Sequence, residues 1–304
     1  MSSILTEALD KRSEDILGLL GRKPRSIGVE LTTCCPLNCS YCKRKELDYK
    51  DRNLSMEEFE KLKDKLSGFE RIVLCGLGEP TVYKHFYQVV NELEQKVVII
   101  TSGTILIDFS RLNESGNVEI ILFSVDSPDE DGMKAIVGNY NWSNLLDNLK
   151  AVCKSPSIFR MINCTINENN LNRLPEIVEV AAKNRLQAVN FELPIEGRGE
   201  NFVEKNKDRI DYYIEEAKRA ASRNRIFMDS PYRLKCMIWD DMVPYITLKG
   251  DVHPCCIALN TGYKVGNIFE QDFDEIWESE NYKKFREGQL CFDNCSVYKN
   301  KRNR

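Results

Sequence analysis

The chain has 304 residues, 42% of them hydrophobic and 30% charged, with a net charge of −4. That length supports one large domain, or one with a small appendage. Lysine and arginine are dispersed rather than gathered, which argues against an electrostatic grip on nucleic acid, and no apolar run approaches the roughly 18 residues of a membrane span, so a soluble, cytoplasmic protein is expected.

Residues 1–25 are expected to form an N-terminal amphipathic helix. Its run ILTEALDKRSEDILGLLG is amphipathic at helical spacing and lacks the pattern of a secretory signal. Strands are expected at 26–31, 71–76, 97–101, 119–126, 159–166 and 188–194, mostly as continuous apolar runs suited to a parallel sheet buried on both faces. Helices fall between them. The run from Ser55 to Gly68 opens with a capping box, Ser55 with Glu58 three residues on, and others lie near 82–95, 142–153, 171–184 and 200–224. This βα alternation implies an α/β fold with the chemistry in loops at the strand C-termini, as a partial (β/α)6 parallel barrel over 26–224. Six units also suit an open sheet.

From residue 225 the pattern changes. VPYITLKGDVHPCC reads as a β-hairpin turning at Lys249-Gly250-Asp251, and 273–288 reads as a helix. Residues 225–304 hold Cys236, Cys255, Cys256, Cys291 and Cys295 and are expected to form a small C-terminal domain whose order depends on a metal.

Twelve cysteines in a reducing compartment point to metal or redox chemistry rather than disulfides. Cys34, Cys35, Cys39 and Cys42 fall within nine positions just after the first strand, the last three spaced C-x3-C-x2-C. Zinc favours four ligands from paired C-x2-C knuckles or histidines, and only His85 and His253 exist here. Three thiolates on a four-iron cluster leave one iron open. Cys34 reads as a non-ligand neighbour, and Cys75, Cys153 and Cys164, set in apolar runs, read as core.

The loop CCPLNCSYCKR, with Tyr41 before its last cysteine, resembles the cluster loop of radical S-adenosylmethionine (SAM) enzymes. The likeness continues in order over residues 26–200. CGLGEP (75–80) resembles the family's glycine–glutamate motif, which implies that Gly76, Gly78 and Glu79 meet SAM. TSG (101–103) brings Ser102, FSVDS (123–127) brings Ser124 and Asp126, and INENN (166–170) follows the fifth strand. Lys134 and Arg160 are candidate partners for the SAM carboxylate. Read from the residues alone, Gly76-Leu77-Gly78 is equally an ordinary βα turn, and Ser124 and Asp126 equally a cap.

The resemblance implies a SAM-binding 4Fe-4S cluster on Cys35, Cys39 and Cys42. SAM would chelate the open iron, and one electron would cleave it to a 5′-deoxyadenosyl radical that removes hydrogen from an unactivated carbon. GDVHPC, VGNIFE and EIW resemble the family's SPASM or shortened twitch extension. That likeness implies one auxiliary 4Fe-4S cluster on Cys236, Cys255, Cys291 and Cys295, although the cysteine-dense middle of a complete SPASM is missing here. Cys256 could replace Cys255 as ligand, pack in the core, or donate a hydrogen atom to a substrate radical. A flavodoxin- or ferredoxin-type reductant is the implied partner.

Dehydrogenation and epimerisation both follow from these parts. With only about 25 residues before the first strand, too few for a peptide-recognition domain, the leading expectation is a small molecule such as a cyclitol or aminosugar. The alternative is epimerisation or crosslinking of a ribosomal peptide. A two-cluster electron carrier and a zinc-bound interaction module are readings from other classes.

Overall fold

The computed structural model describes residues 23–42, 44, 50–194, 202–229, 243–255 and 263–286. Seven parallel strands lie side by side in chain order: β1 (Ser26–Val29), β2 (Arg71–Leu74), β3 (Lys96–Thr101), β4 (Val118–Ser124), β5 (Phe159–Thr165), β6 (Ala188–Glu192) and β7 (Phe227–Asp229). The first six are the expected strands; β3 keeps its expected end, and the other five stop one or two residues early where the chain leaves the ladder to enter loops. β7 lies just past the boundary expected at 224.

The helices between them are α1 (Met56–Lys65), α2 (Phe86–Glu92), α3 (Phe109–Ser115), α4 (Glu130–Val137), α5 (Trp142–Val152), α6 (Leu174–Lys183), α7 (Phe202–Lys205) and α8 (Lys207–Asn224). The capping box forms as expected: Ser55 Oγ accepts from the Glu58 N–H at 3.1 Å, and a Glu58 carboxylate oxygen accepts from the Ser55 N–H at 2.8 Å. α3 was not expected. Its seven residues are largely polar, and it is defined by its ends, with Asp108 accepting from the Ser110 and Arg111 N–H groups and Gly116 at φ +67°.

β8 (Tyr245–Ile246) and β9 (Asp251–His253) form the expected hairpin, with Gly250 at φ +79° in its turn. The hairpin joins the main sheet: β8 runs parallel to β1, with Gly28 opposite Tyr245 and Val29 opposite Ile246. β10 (Gly266–Asn267) adds antiparallel to β9. One ten-stranded sheet results, in the order β10-β9-β8-β1-β2-β3-β4-β5-β6-β7, with β10 and β7 as its edges, so the barrel is partial. The expected helix at 273–288 is two pieces, α9 (Phe273–Glu278) and α10 (Glu280–Arg286), broken at extended Ser279, with 287–288 outside the described residues.

Strand residues facing the helices are apolar and fully buried, among them Ile72, Ile99, Ile121, Phe123, Ile162 and Val189. Each such side chain contributes about 2 kcal/mol by leaving water. The alternate residues line the inner face, which turns polar at the C-terminal ends of the strands. Ser124 stands in register with Asn163, Asn163 with Asn190, and Asn190 with Asp229.

Candidate active site

The cysteine loop leaves β1 and is held from two sides. On one, the Thr33 N–H donates to the Arg52 carbonyl at 2.9 Å and Thr32 Oγ1 donates to Asn53 Oδ1 at 2.7 Å. On the other, the N–H groups of Asn38 and Ser40 donate to the carbonyls of Val137 and Ile136 at 3.0 and 2.9 Å. These are carbonyls that the end of α4 leaves without helical partners. Cys35, Cys39 and Cys42 are all half-buried here.

The glycine loop after β2 packs directly on this segment. The Glu79 N–H donates to the Cys34 carbonyl at 2.9 Å, so Cys34 contributes backbone at this contact. A Cβ on Gly78 would lie 2.1 Å from the Thr32 carbonyl oxygen, so only glycine lets the two backbones come this close. The Glu79 carboxylate is buried and accepts five hydrogen bonds. Thr81 N–H, Thr81 Oγ1 and Thr101 Oγ1 donate to Oε1 at 3.1, 2.7 and 2.7 Å; Ser102 N–H and Oγ donate to Oε2, both at 2.7 Å. Glu79 therefore ties the ends of β2 and β3 together. Tyr140 locks the far side by donating to the Ser102 carbonyl at 2.6 Å.

Asp126 anchors the end of β4. Its Oδ1 accepts from the Thr165 N–H at 2.8 Å, and its Oδ2 accepts from the Tyr41 hydroxyl. Burial pushes its pKa up to about 6, against the lowering effect of Tyr41 and the Thr165 N–H. Asn170, fully buried, donates to the carbonyls of Asp126 and Thr165 at 3.0 and 2.9 Å and accepts from the Asn167 N–H at 2.8 Å. The Tyr41 phenol is itself held well above its usual range, first by burial and then by the Asp126 charge.

The structure thus brings Tyr41, Gly76, Gly78, Glu79, Ser102, Ser124 and Asp126 to one end of the sheet, around the cysteine loop. Lys134 and Arg160 are not brought there. Lys134 is exposed on α4 and paired with Glu130 at 2.6 Å, one helical turn before it. Arg160 sits at the start of β5, the opposite end, where its Nε donates to the Arg185 carbonyl at 3.1 Å. Cys164 is buried as expected, whereas Cys75 and Cys153 are half-buried. Cys255 is buried; Cys236, Cys256, Cys291 and Cys295 lie outside the described residues. Sequence reasoning missed Glu30, Thr101, Tyr140 and Asn170. Thr101 and Asn170 lie within the quoted runs TSG and INENN without being singled out, and Glu30 is a charge inside the otherwise apolar run SIGVEL.

The thiols fit an iron–sulfur cluster chemically. Cys39 is pushed up to about 12 by burial first, then by the charges of Cys42, Asp126 and Cys35. Cys35 is raised by burial, with Glu79 and Cys42 adding to it. Such a set stays protonated alone and ionises with a cationic partner. Among the described residues, no three Cys, His, Asp or Glu converge as ligands of a single metal ion.

Residues 29–181 match the Radical SAM superfamily and residues 236–297 the SPASM iron–sulfur cluster-binding domain. The chain is 25% identical, over 85% of its length and 82% of the relative's, to the tungsten-containing aldehyde ferredoxin oxidoreductase cofactor-modifying protein of Pyrococcus furiosus. It is 23% identical, over 86% and 72%, to the mycofactocin maturase MftC of Mycolicibacterium smegmatis. Streptococcus suis SuiB, bound to its precursor peptide SuiA, superposes with a TM-score of 0.68 at 18% identity, covering 91% of this chain and 70% of SuiB. The chain belongs to the radical SAM superfamily, with a SPASM-type C-terminal domain, and its cofactors are S-adenosylmethionine, a 4Fe-4S cluster and an auxiliary iron–sulfur cluster.

Proposed function

We propose that this chain is a peptide-modifying radical SAM enzyme. The observation that carries the catalytic part is the junction of the cysteine loop with the glycine loop, through Cys34, Gly78 and Glu79, at the C-terminal ends of the strands. The peptide part is supported by relatives named mycofactocin maturase and PqqA peptide cyclase, and by SuiB, whose structure holds a precursor peptide. The expected small-molecule substrate is supported less well, by relatives named GTP 3′,8-cyclase and by a neighbour solved with 2-DOIA at a TM-score of 0.51.

Cys35, Cys39 and Cys42 hold the cluster in this reading. Bound there together, cluster and SAM supply the means of removing a hydrogen atom from an unactivated C–H bond. The backbone at Gly76 to Gly78 would let the cofactor approach closely, Ser102 is held beside this loop through Glu79, and Ser124 lies at the same end of the sheet. Tyr41 and Asp126 keep the loop closed over β4 and exclude water. Cys236, Cys255, Cys291 and Cys295 hold the auxiliary cluster. Cys256 is the candidate hydrogen donor for an epimerisation, and dehydrogenation or crosslinking would leave it unused.

The test is anaerobic incubation of the reconstituted, reduced protein with SAM and a short peptide encoded beside its gene. Formation of 5′-deoxyadenosine together with a mass or stereochemical change in the peptide is the expected result. SAM cleavage that alters only a small molecule would overturn the peptide assignment, and no cleavage at all would overturn the catalytic one.

A further inference from the structure

Glu30 follows the last residue of β1 and is 1% exposed. Its Oε1 accepts from the Leu77 N–H at 3.0 Å and its Oε2 from the Leu248 N–H at 3.3 Å. Burial pushes the Glu30 carboxyl up, and the two N–H groups and the neighbouring Tyr245 hydroxyl act in the opposite direction. Gly76 makes room for the carboxylate: a Cβ there would lie 2.9 Å from Glu30 Cγ, Glu30 Oε1 and the Tyr245 hydroxyl, and its φ of +152° favours glycine. Among the described residues, the groups that bond this carboxylate are N–H donors, not cations. A buried carboxylate without a cation is costly and is held only by such bonds.

The two N–H groups belong to different parts of the molecule. Leu77 is the middle of the glycine loop, whose next two residues touch the backbone of Thr32 and Cys34. Leu248 lies in the turn of the C-terminal hairpin, seven residues before Cys255. One carboxylate thus spans from the loop beside the SAM-cluster cysteines to the strand pair that leads to the auxiliary cysteines. Backbone ladder bonds run alongside it, from Gly28 N–H to the Pro244 carbonyl at 2.7 Å and from Glu30 N–H to the Ile246 carbonyl at 3.0 Å, but these stop at β1. The Cys75 N–H, which donates to the Val29 carbonyl at 3.2 Å, carries the ladder on to the start of the glycine loop, and among the described residues Glu30 supplies the carboxylate that bonds both Leu77 and Leu248.

We propose that Glu30 is a positioning residue that clamps the glycine loop to the C-terminal iron–sulfur domain, so that SAM bound at that loop orders the hairpin and an ordered hairpin strengthens SAM binding. The inference rests on the reading that residues 76–79 bind SAM. Coupling of this kind is reciprocal by linkage.

Hydrogen exchange read by mass spectrometry on the iron-loaded protein tests both levels. In the wild type, SAM should slow exchange in segment 75–79 and also in segment 245–250. No slowing at 75–79 would defeat the underlying reading of the glycine loop. Slowing at 75–79 with none at 245–250 would defeat the clamp alone. In Glu30→Gln, one arm is an amide nitrogen and cannot accept an N–H. That variant should keep its iron, lose the SAM-dependent slowing at 245–250, and bind SAM about tenfold more weakly. Wild-type affinity with the slowing intact would overturn the proposal. If Glu30→Gln does not fold, Glu30→Asp keeps both acceptors on a shorter arm and should show the same two losses; their absence there overturns it equally.

Discussion

The Tyr41 hydroxyl donates to Asp126 Oδ2 and so joins the cysteine loop to the end of β4 across 85 positions of sequence. Burial, opposed by this bond, gives Asp126 a pH-dependent effect on stability. Its pKa is raised from 3.8 to about 6, chiefly by burial. The native state therefore holds this proton more tightly than the unfolded chain does. The associated stability is complete below the unfolded value and is lost as pH rises through about 6. The loss amounts to about 3 kcal/mol. In Asp126→Asn, the neutral amide can still accept from Thr165 and can donate to the Tyr41 oxygen. Relative to wild type, this variant should gain about 3 kcal/mol between roughly pH 4 and pH 7. Urea midpoints of the two iron-free proteins, compared across that range, measure the difference; parallel profiles would refute the assignment.

The cysteine assignments predict iron content. Anaerobically reconstituted protein should carry about eight irons per chain, and Cys35→Ala, Cys39→Ala and Cys42→Ala combined should leave about four. The residual iron belongs to the auxiliary site, so its absorbance should no longer respond to SAM. A triple variant that keeps all its iron would contradict the assignment of these thiols.

The place of the cysteine loop was legible because it is local: the cysteine spacing and the preceding strand lie within one short stretch. The Ser55–Glu58 box and the Gly250 turn were legible for the same reason. The attachment of β8 to β1 was not, because it joins two-residue segments over 200 positions apart through backbone bonds that leave no side-chain pattern. Arg160 was misplaced for a related reason. An apolar run predicts a strand without showing which of its residues reach the loop end, and Arg160 is at the other end. Lys134 carried a warning that could have been used, since Glu130 stands four residues before it on the same helical face.

Gly78 predicts a steric defect at a defined place. A Cβ there would lie 2.1 Å from the Thr32 oxygen, 2.7 Å from the Thr32 carbonyl carbon and 2.8 Å from the Cys34 oxygen, all backbone atoms that cannot swing away. Gly78→Ala should push the glycine loop off the cysteine loop, break the Glu79–Cys34 backbone bond, and cost about 1–3 kcal/mol of stability. SAM affinity should fall in step. Gly68→Ala is the matched control, because nothing lies within 4 Å of a Cβ at that position. Equal behaviour of the two variants in thermal unfolding and SAM binding would show that the close approach is not required.

Glu79 carries the last prediction, because its five donors separate an organising role from a cofactor contact. In Glu79→Gln, one oxygen becomes an NH2 group. Whichever side it takes, it faces either the two Ser102 donors or the three donors from Thr81 and Thr101. At least two buried donors lose their acceptor. At about 1.5 kcal/mol or more for each bond to a charged group, the iron-free variant should be less stable by about 3 kcal/mol. That loss requires no cofactor, so it should appear in urea unfolding before any iron or SAM is added. A contact with the SAM amino group would add a separate weakening of SAM binding in the iron-loaded protein. Glu79→Gln with wild-type stability would mean that the β2 and β3 ends are held together without this carboxylate. A stability loss with unchanged SAM affinity would make Glu79 an organiser of the Ser102 loop and leave the amino group to another acceptor.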